Sequence, residues 1–322
     1  MLVVRSKIYS MDFWMADKIT YKNIEFQRLS PWDQFEENRK RIGREQAHYQ
    51  TGTLKFSLAS EVKTVNAARD SWRELVNRLH LLLPFAHGHD VPIHEMMIYE
   101  TNAQVETLIA HETESMGFGK AGASSTNVYS HGLEAFLNTT MPLICDEDFN
   151  GKTNAPLALM YYNGARGNSF LEIKSIMLWM GLEAMANTFY DGNPDELRVS
   201  KRDWKAIRNF CRDYLTMTGN QATYSNLLND ISFLRQGKTK DRIDHMLTSD
   251  SYRMREYVTE VHDIYDNIRN PLLHGRIVDW RANTQRVFKL QRLMEKILFK
   301  TLNFYDNDLI HYSIKDADLS AR

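Results

Sequence analysis

The chain is poor in several features that would narrow its class at once. Its 322 residues include only two cysteines, Cys145 and Cys211, far apart and at neither metal-binding nor redox spacing. That excludes a disulfide scaffold and a thiolate zinc module, and both cysteines are expected to be reduced and buried. Seven prolines and fifteen glycines are too few for an extended disordered or low-complexity segment. No apolar run approaches the ~18 residues that cross a bilayer. The opening MLVVRSKIYSMDFW lacks the long apolar core and small-residue cleavage site of a secretion signal. A cytoplasmic protein without membrane insertion is expected.

An excess of charge of one sign is also missing. Forty basic residues face 41 acidic ones, which excludes a chain-wide basic field for nucleic acid. The distribution is uneven. Leu79 to Gly119 carries six carboxylates and no lysine or arginine, whereas Arg276 to Lys300 carries seven basic residues against two acidic ones. Any polyanion is therefore expected against the C-terminal half.

What is present reads as two kinds of structure. Leu2 to Tyr9, Asn23 to Leu29 and Thr53 to Leu58 are β-leaning runs separated by polar stretches. Ala67 to Phe85 has a helical apolar period, and Val91 to Tyr99 and Val105 to His111 are strand-like again. Gly117 to Thr126, rich in glycine and serine, is the natural boundary. After it come helical segments: Leu133 to Cys145, Pro156 to Tyr162, a long helix to about Tyr190 opened by Ser169 and Glu172, Ser200 to Met217, Asn226 to Leu234, Asp241 to Leu247, Tyr252 to Ile268 and Arg286 to Leu302. The expected fold class is α+β: a β-containing N-terminal domain over 1–118, with a sensing or regulatory role, followed by an all-α bundle over 127–322.

One short segment concentrates reactive chemistry: Arg269-Asn270-Pro271-Leu272-Leu273-His274-Gly275. Arginine keeps its charge and offers a fork of donors to phosphate oxygens. Histidine can take or give a proton near neutrality. On an unbroken helix, residues five apart diverge by about 140°, so Arg269 and His274 would not share a face. Pro271 is expected to break the helix, with Asn270 capping a new turn, so that the kink turns His274 back towards Arg269. Gly275 is expected to end the helix.

The bland reading of the pair is an Arg269–Asp266 ion pair and a histidine satisfying a helix end. Other features have bland readings too. His80, His87, His89 and His94 fit no standard zinc spacing, and Gly117 to Gly122 lacks the order of a phosphate-binding loop. Arg276, Arg281, Arg286 and Lys289 could line an RNA path, continued by Arg292, Lys296 and Lys300, or could simply form a solvated face. Lys201, Arg202, Lys205, Arg208 and Arg212 form a second such stripe. Trp179, Trp204, Tyr257 and Tyr265 read as core. No metal and no cofactor are expected.

The run Ile264 to Gly275 resembles the signature of the HEPN superfamily, in which an arginine, usually followed by a polar residue, precedes a histidine by a short interval. Ile176-Met177-Leu178-Trp179-Met180-Gly181-Leu182-Glu183 is similar to the LWxxLE helix of the ApeA-like HEPN branch. This resemblance covers roughly Tyr129 to Tyr312 and implies an endoribonuclease that uses no metal. Arg269, Asn270 and His274 would be catalytic, Glu183 would be the acidic residue that pairs with Arg269, and a two-fold homodimer would supply a second copy of each. It also implies work in prokaryotic anti-phage defence or as a toxin, and a possible defence-system partner protein. The alternative is a non-catalytic HEPN module that binds RNA, nucleotide or a protein partner as a regulatory subunit.

Overall fold

A computed structural model describes residues 1–11, 18–30, 32–45, 49–102, 105–116, 127–167, 170–191, 201–217, 239–276, 278–305 and 308–310. The boundary segment Gly117 to Thr126, the helix expected over Asn226 to Leu234, and Ser169 and Ser200 lie outside these residues.

The N-terminal strands are β1 (Leu2–Tyr9), β2 (Lys18–Tyr21), β3 (Ile24–Arg28), β4 (Gln50–Ser57), β5 (Ile93–Asn102) and β6 (Val105–Met116). They form one antiparallel sheet in the order β2-β3-β4-β1-β5-β6, with Val4 opposite both Phe56 and Ile98. The period of two explains its faces. Leu2, Val4, Ser6 and Ile8 of β1 are buried; on the other face Val3 is buried too, while Arg5 and Lys7 are partly exposed and pair with Glu106 at 2.7 Å and Glu95 at 2.6 Å.

Among the described residues, two helices belong to this half. One, α1 (Trp32–Glu45), falls in a stretch that the sequence reading left as polar connection. Among its described side chains Phe35 and Ile42, two turns apart, are the buried ones, too few apolar positions to show a helical period. The other, α2 (Val65–His87), is the expected apolar helix. Thr64 caps its start, and Gly88 in the left-handed conformation ends it. Trp72 reaches from it into the sheet, where its indole N–H donates to the Ser6 hydroxyl at 2.8 Å.

The remainder is helical: α3 (Leu133–Ile144), α4 (Glu147–Thr153), α5 (Ala155–Gly167), α6 (Leu171–Asp191), α7 (Lys201–Met217), α8 (Thr239–Thr248), α9 (Val258–Ile264), α10 (Asn270–Leu273) and α11 (Trp280–Thr301). An α+β fold with a helical C-terminal region is therefore observed. The apolar cluster is continuous from Leu2 in the sheet to Ile310, because α2 packs on β5 with one side and on α3 and α5 with another.

A buried polar junction lies within that cluster. The Tyr162 hydroxyl donates to Glu295, which has no exposed surface, and Gln291 reaches the same carboxylate at 3.3 Å. Asn127 links Tyr162 to the Phe85 carbonyl, and Arg166 donates to Asn127 at 2.8 Å. Pairing is what makes burial of these groups tolerable.

The cysteine expectation needs correction. Both thiols are free, but Cys145 is exposed at the end of α3 and accepts from Arg78 at 3.1 Å. Among the described residues, no helix is long and apolar enough to cross a membrane.

Candidate functional site

The segment that carries Arg269 and His274 begins with a turn at Arg255–Tyr257, continues as α9, and widens into a π-helical turn over Tyr265–Arg269 before α10. Asn270 donates its N–H five residues back, to the Tyr265 carbonyl. The reason lies in Pro271, which has no N–H to give and whose ring collides with the carbonyl four residues before it in a regular helix. An extra residue in the turn relieves that collision. The expected break and cap at Asn270 are therefore not observed. Asn270 keeps helical angles of φ −65 and ψ −46 and is the first residue of α10, while Arg269 before it holds the cap position without a side-chain capping bond.

The end of the segment does match expectation. Gly275 sits at φ +64, its N–H donates to Leu272, and the Arg276 N–H donates to Pro271. This is the paired Schellman closure, and it requires the left-handed residue that glycine supplies. His274, just before it, lies in the sparsely populated bridge region at φ −92 and ψ 14. Its side chain is exposed and makes no hydrogen bond or ion pair among the described residues.

Arg269 points elsewhere. Its Nε and Nη2 lie 2.9 and 2.8 Å from one oxygen of Glu183 on α6, and the Trp179 indole N–H donates to the same oxygen at 2.6 Å. Its Nη1 donates to the Tyr265 hydroxyl at 3.3 Å, and its guanidinium lies 5.1 Å from the centre of that ring. Trp179 meets Tyr265 edge-on, which closes a four-residue cluster. The Arg269–Asp266 pair of the bland reading is not formed, because Asp266 binds Lys240 at 3.1 Å instead. The expected convergence of Arg269 and His274 within one chain is also absent: the arginine is drawn to α6, and the histidine stands exposed at the closed helix end.

Between α6 and the motif lies a pocket of about 90 Å³. Ile176, Trp179, Met180 and Leu272 make its apolar wall, and Arg269 and Glu183 close the polar end. Leu273 stands at the same pocket with 63% of its surface exposed. Close helix packing supports this arrangement from below. A Cβ at Gly181 would lie 3.1 Å from the terminal methyl of Met294 and 3.5 Å from the Ala158 carbonyl, so α6 lies close to α5 and α11 here, and a larger residue would require the Met294 end to shift slightly.

The basic residues of α11 are placed differently from an open RNA path. Arg286 binds Asp263 at 2.6 and 2.9 Å, and its guanidinium holds that carboxyl below the usual carboxylate range. Lys289 lies 3.9 Å from Glu260, Lys296 donates to Tyr257, and Lys300 donates to the Tyr252 carbonyl. These cations tie α11 to the segment that carries the motif. Arg292 is buried, whereas Arg276 and Arg281 are exposed. On α7, Lys205, Arg208 and Arg212 are exposed, and the side chains of Lys201, Arg202 and Trp204 lie outside the described set.

The four N-terminal histidines do not converge. His87 is fully buried, and burial with His89 nearby pushes it down to about 3. His89 contacts the Ser10 carbonyl at 2.7 Å, and His94 stacks edge-on against Tyr9. Among the described residues, no group of three or more potential metal ligands comes together.

The reading of Trp179 and Tyr265 as core holds, since Trp179 is buried in the apolar cluster and Tyr265 packs against it, but sequence reasoning missed that their polar ends also bind Glu183 and Arg269. Their spacings of four residues, Trp179 to Glu183 and Tyr265 to Arg269, were the available signal, since such residues share a helix face. No protein family, curated protein or solved structure matches this chain.

Proposed function

We propose that the chain is a cytoplasmic endoribonuclease of the HEPN type, built on Arg269 and His274 and acting as a homodimer. One observation carries the reading: a guanidinium oriented by Glu183 and Tyr265 shares a seven-residue segment with an exposed histidine at a closed helix end. An arginine held in place loses little freedom on meeting a phosphate, and an exposed histidine can reach a proton on a large substrate.

The chemistry needs no metal. One histidine removes the proton of a ribose 2′-hydroxyl, whose oxygen attacks the adjacent phosphorus. The bond from phosphorus to the 5′-oxygen breaks, and the histidine of the second copy protonates that oxygen. Arg269 stabilises the charge that builds on the phosphoryl oxygens, and Asn270 orients the phosphate or the imidazole. The products are a 2′,3′-cyclic phosphate and a 5′-hydroxyl, and DNA resists for want of the nucleophile. Arg276 and Arg281 offer exposed cations to the strand, while Arg286 and Lys289 serve mainly to hold α11. The resemblance supports a place in anti-phage defence or as a toxin, with a partner protein of the defence system.

The test is incubation with total RNA or tRNA in EDTA, alone and with phage-infected lysate, beside Arg269→Ala and His274→Ala. Cleavage by wild type alone, with cyclic phosphate ends, supports the reading; intact RNA in every lane ends it. The neutralisation of Arg269 by Glu183 favours a second reading, a non-catalytic module that binds RNA, nucleotide or a partner as a regulatory subunit. Retention of RNA without cleavage would select it.

A further inference from the structure

A second cavity, of about 310 Å³, opens where the end of α11 meets the turn at Arg255–Tyr257 that leads into α9. It shares no lining residue with the pocket at Arg269 and is more than three times its size. Phe299 and Phe304, both buried and with ring centres 6.1 Å apart, form its inner wall. Tyr257 and Tyr305 add two more rings, the latter 57% exposed. So much aromatic surface in one hollow suits a flat apolar body.

The polar groups of this cavity are mainly cationic. Lys296 and Lys300, one turn apart on α11, both line it. Lys296 lies 4.7 Å from the centre of the Tyr257 ring and donates to its hydroxyl, and Lys300 donates to the Tyr252 carbonyl. An ammonium has three N–H groups, so the one acceptor of Lys300 among the described residues leaves two for a ligand. Earlier on the same helix Arg286 and Lys289 meet Asp263 and Glu260, whereas Lys300 has no carboxylate partner among the described residues. Among the described lining residues Glu256 is the one carboxylate, and it is exposed. Two ammonium groups against one carboxylate leave the hollow net positive.

We infer that this cavity binds a small aromatic acid, one or two fused rings bearing a carboxylate or a phosphate. The rings lie against Phe299 and Phe304, and the acid group meets Lys300 and Lys296. The volume falls at the lower end of the ~300–1,000 Å³ of small-molecule sites, room for such a compound but not for a length of RNA. Lysine binds carboxylate and phosphate alike, as a compact charge that donates strong hydrogen bonds. Both lysines are partly buried, which shields the contact from water and salt. The ligand joins α11 to the segment that leads to Arg269, yet it touches neither Arg269 nor His274. The site therefore stands whether or not the chain cuts RNA.

Naphthoate, naphthyl phosphate and the neutral naphthol probe the site, each titrated with the full chain and followed by its fluorescence. At least one acid should bind with a Kd below about 1 mM and about tenfold tighter than naphthol; the tighter acid identifies the head group. Lys300→Gln keeps a donor for the Tyr252 carbonyl but loses the charge, so it should weaken the acids about tenfold and leave naphthol unchanged. Tyr305→Ala removes an exposed ring and should weaken all three probes. Lys289→Gln, on the same helix but outside the cavity, should change none of them. Circular dichroism should be unaltered in each variant. Three results would overturn the inference: both acids fail to bind at about 5 mM, naphthol binds as tightly as they do, or Lys300→Gln and Tyr305→Ala weaken them no more than Lys289→Gln does.

Discussion

The Arg269 guanidinium lies 2.8 Å from the Glu183 carboxylate, joining two helices whose residues are 86 apart in the chain. Side-chain exposures of 18% and 24% place the pair between an open surface bridge and a fully buried one. Exposed pairs contribute little, whereas breaking a buried pair strands a charge.

Removal of that carboxylate should therefore be felt in stability. Glu183→Ala is expected to cost about 1–3 kcal/mol, between the surface and buried limits. Glu183→Gln should cost less, because its carbonyl still accepts from Trp179. Urea unfolding of both variants checks this, and equal midpoints for wild type and Glu183→Ala would show that the pair contributes nothing.

The motif end separates function from folding. His274→Ala removes an exposed ring without a hydrogen-bond partner, so unfolding should shift by no more than about 0.5 kcal/mol while RNA cleavage is lost. Gly275→Ala meets open space but at φ +64, so it should cost about 1 kcal/mol through backbone strain alone. Thermal unfolding of the two variants side by side tests the contrast.

His87 makes stability depend on pH in a definite direction. Folded, it is held down to about 3 by burial and by His89, and neither ring nitrogen has a hydrogen-bond partner. Unfolded, it protonates near the ordinary histidine value. Between about pH 6.5 and 3 the unfolded chain thus binds a proton that the folded chain refuses, so stability is full above that window and falls as pH drops through it, by at most about 1.4 kcal/mol per pH unit. Urea midpoints at pH 7, 5.5 and 4.5 should show a steeper decline for wild type than for His87→Leu.

The buried junction predicts an asymmetric cost. Tyr162→Phe deletes a hydroxyl that donates to fully buried Glu295 and leaves that carboxylate with one donor fewer. The expected loss is about 1–3 kcal/mol. A loss under half a kilocalorie would mean that water or a neighbour replaces the hydroxyl.

Exposed and engaged cations should differ in RNA binding. Arg276→Ala and Arg281→Ala are each expected to lower the slope of log affinity against log salt by about 0.7, as for one single-strand phosphate contact. Arg286→Ala should leave that slope nearly unchanged and reduce stability instead, because its partner is Asp263. Fluorescence anisotropy with a single-stranded RNA across a salt series makes the comparison.

Much of this protein could be read along the chain. The alternating burial of β1 from Val4 to Tyr9 and the apolar periods of α2, α6 and α11 follow from side-chain spacing, which each segment carries by itself. The closure at Gly275 is equally local, since a left-handed helix end calls for glycine. Charged α1 hid because its two buried residues, Phe35 and Ile42, are too sparse to show a period. The π turn before Pro271 hid because a helix can answer a proline by breaking or by widening, and the local residues do not choose.

By itself, then, the sequence determined most of the elements, though not α1 or the π turn, together with the helix end at Gly275 and the presence of an arginine and a histidine in one short segment. Only the tertiary structure decided where those groups point. Packing of α6 against the motif brings Glu183 and Trp179 to Arg269 and leaves His274 outside. The same packing sets Arg286 and Lys289 against Asp263 and Glu260, so residues that read as an RNA path along the chain are largely helix-to-helix ties. The partner of a charge is set by long-range contact, and spacing along one helix cannot name a carboxylate 86 residues away.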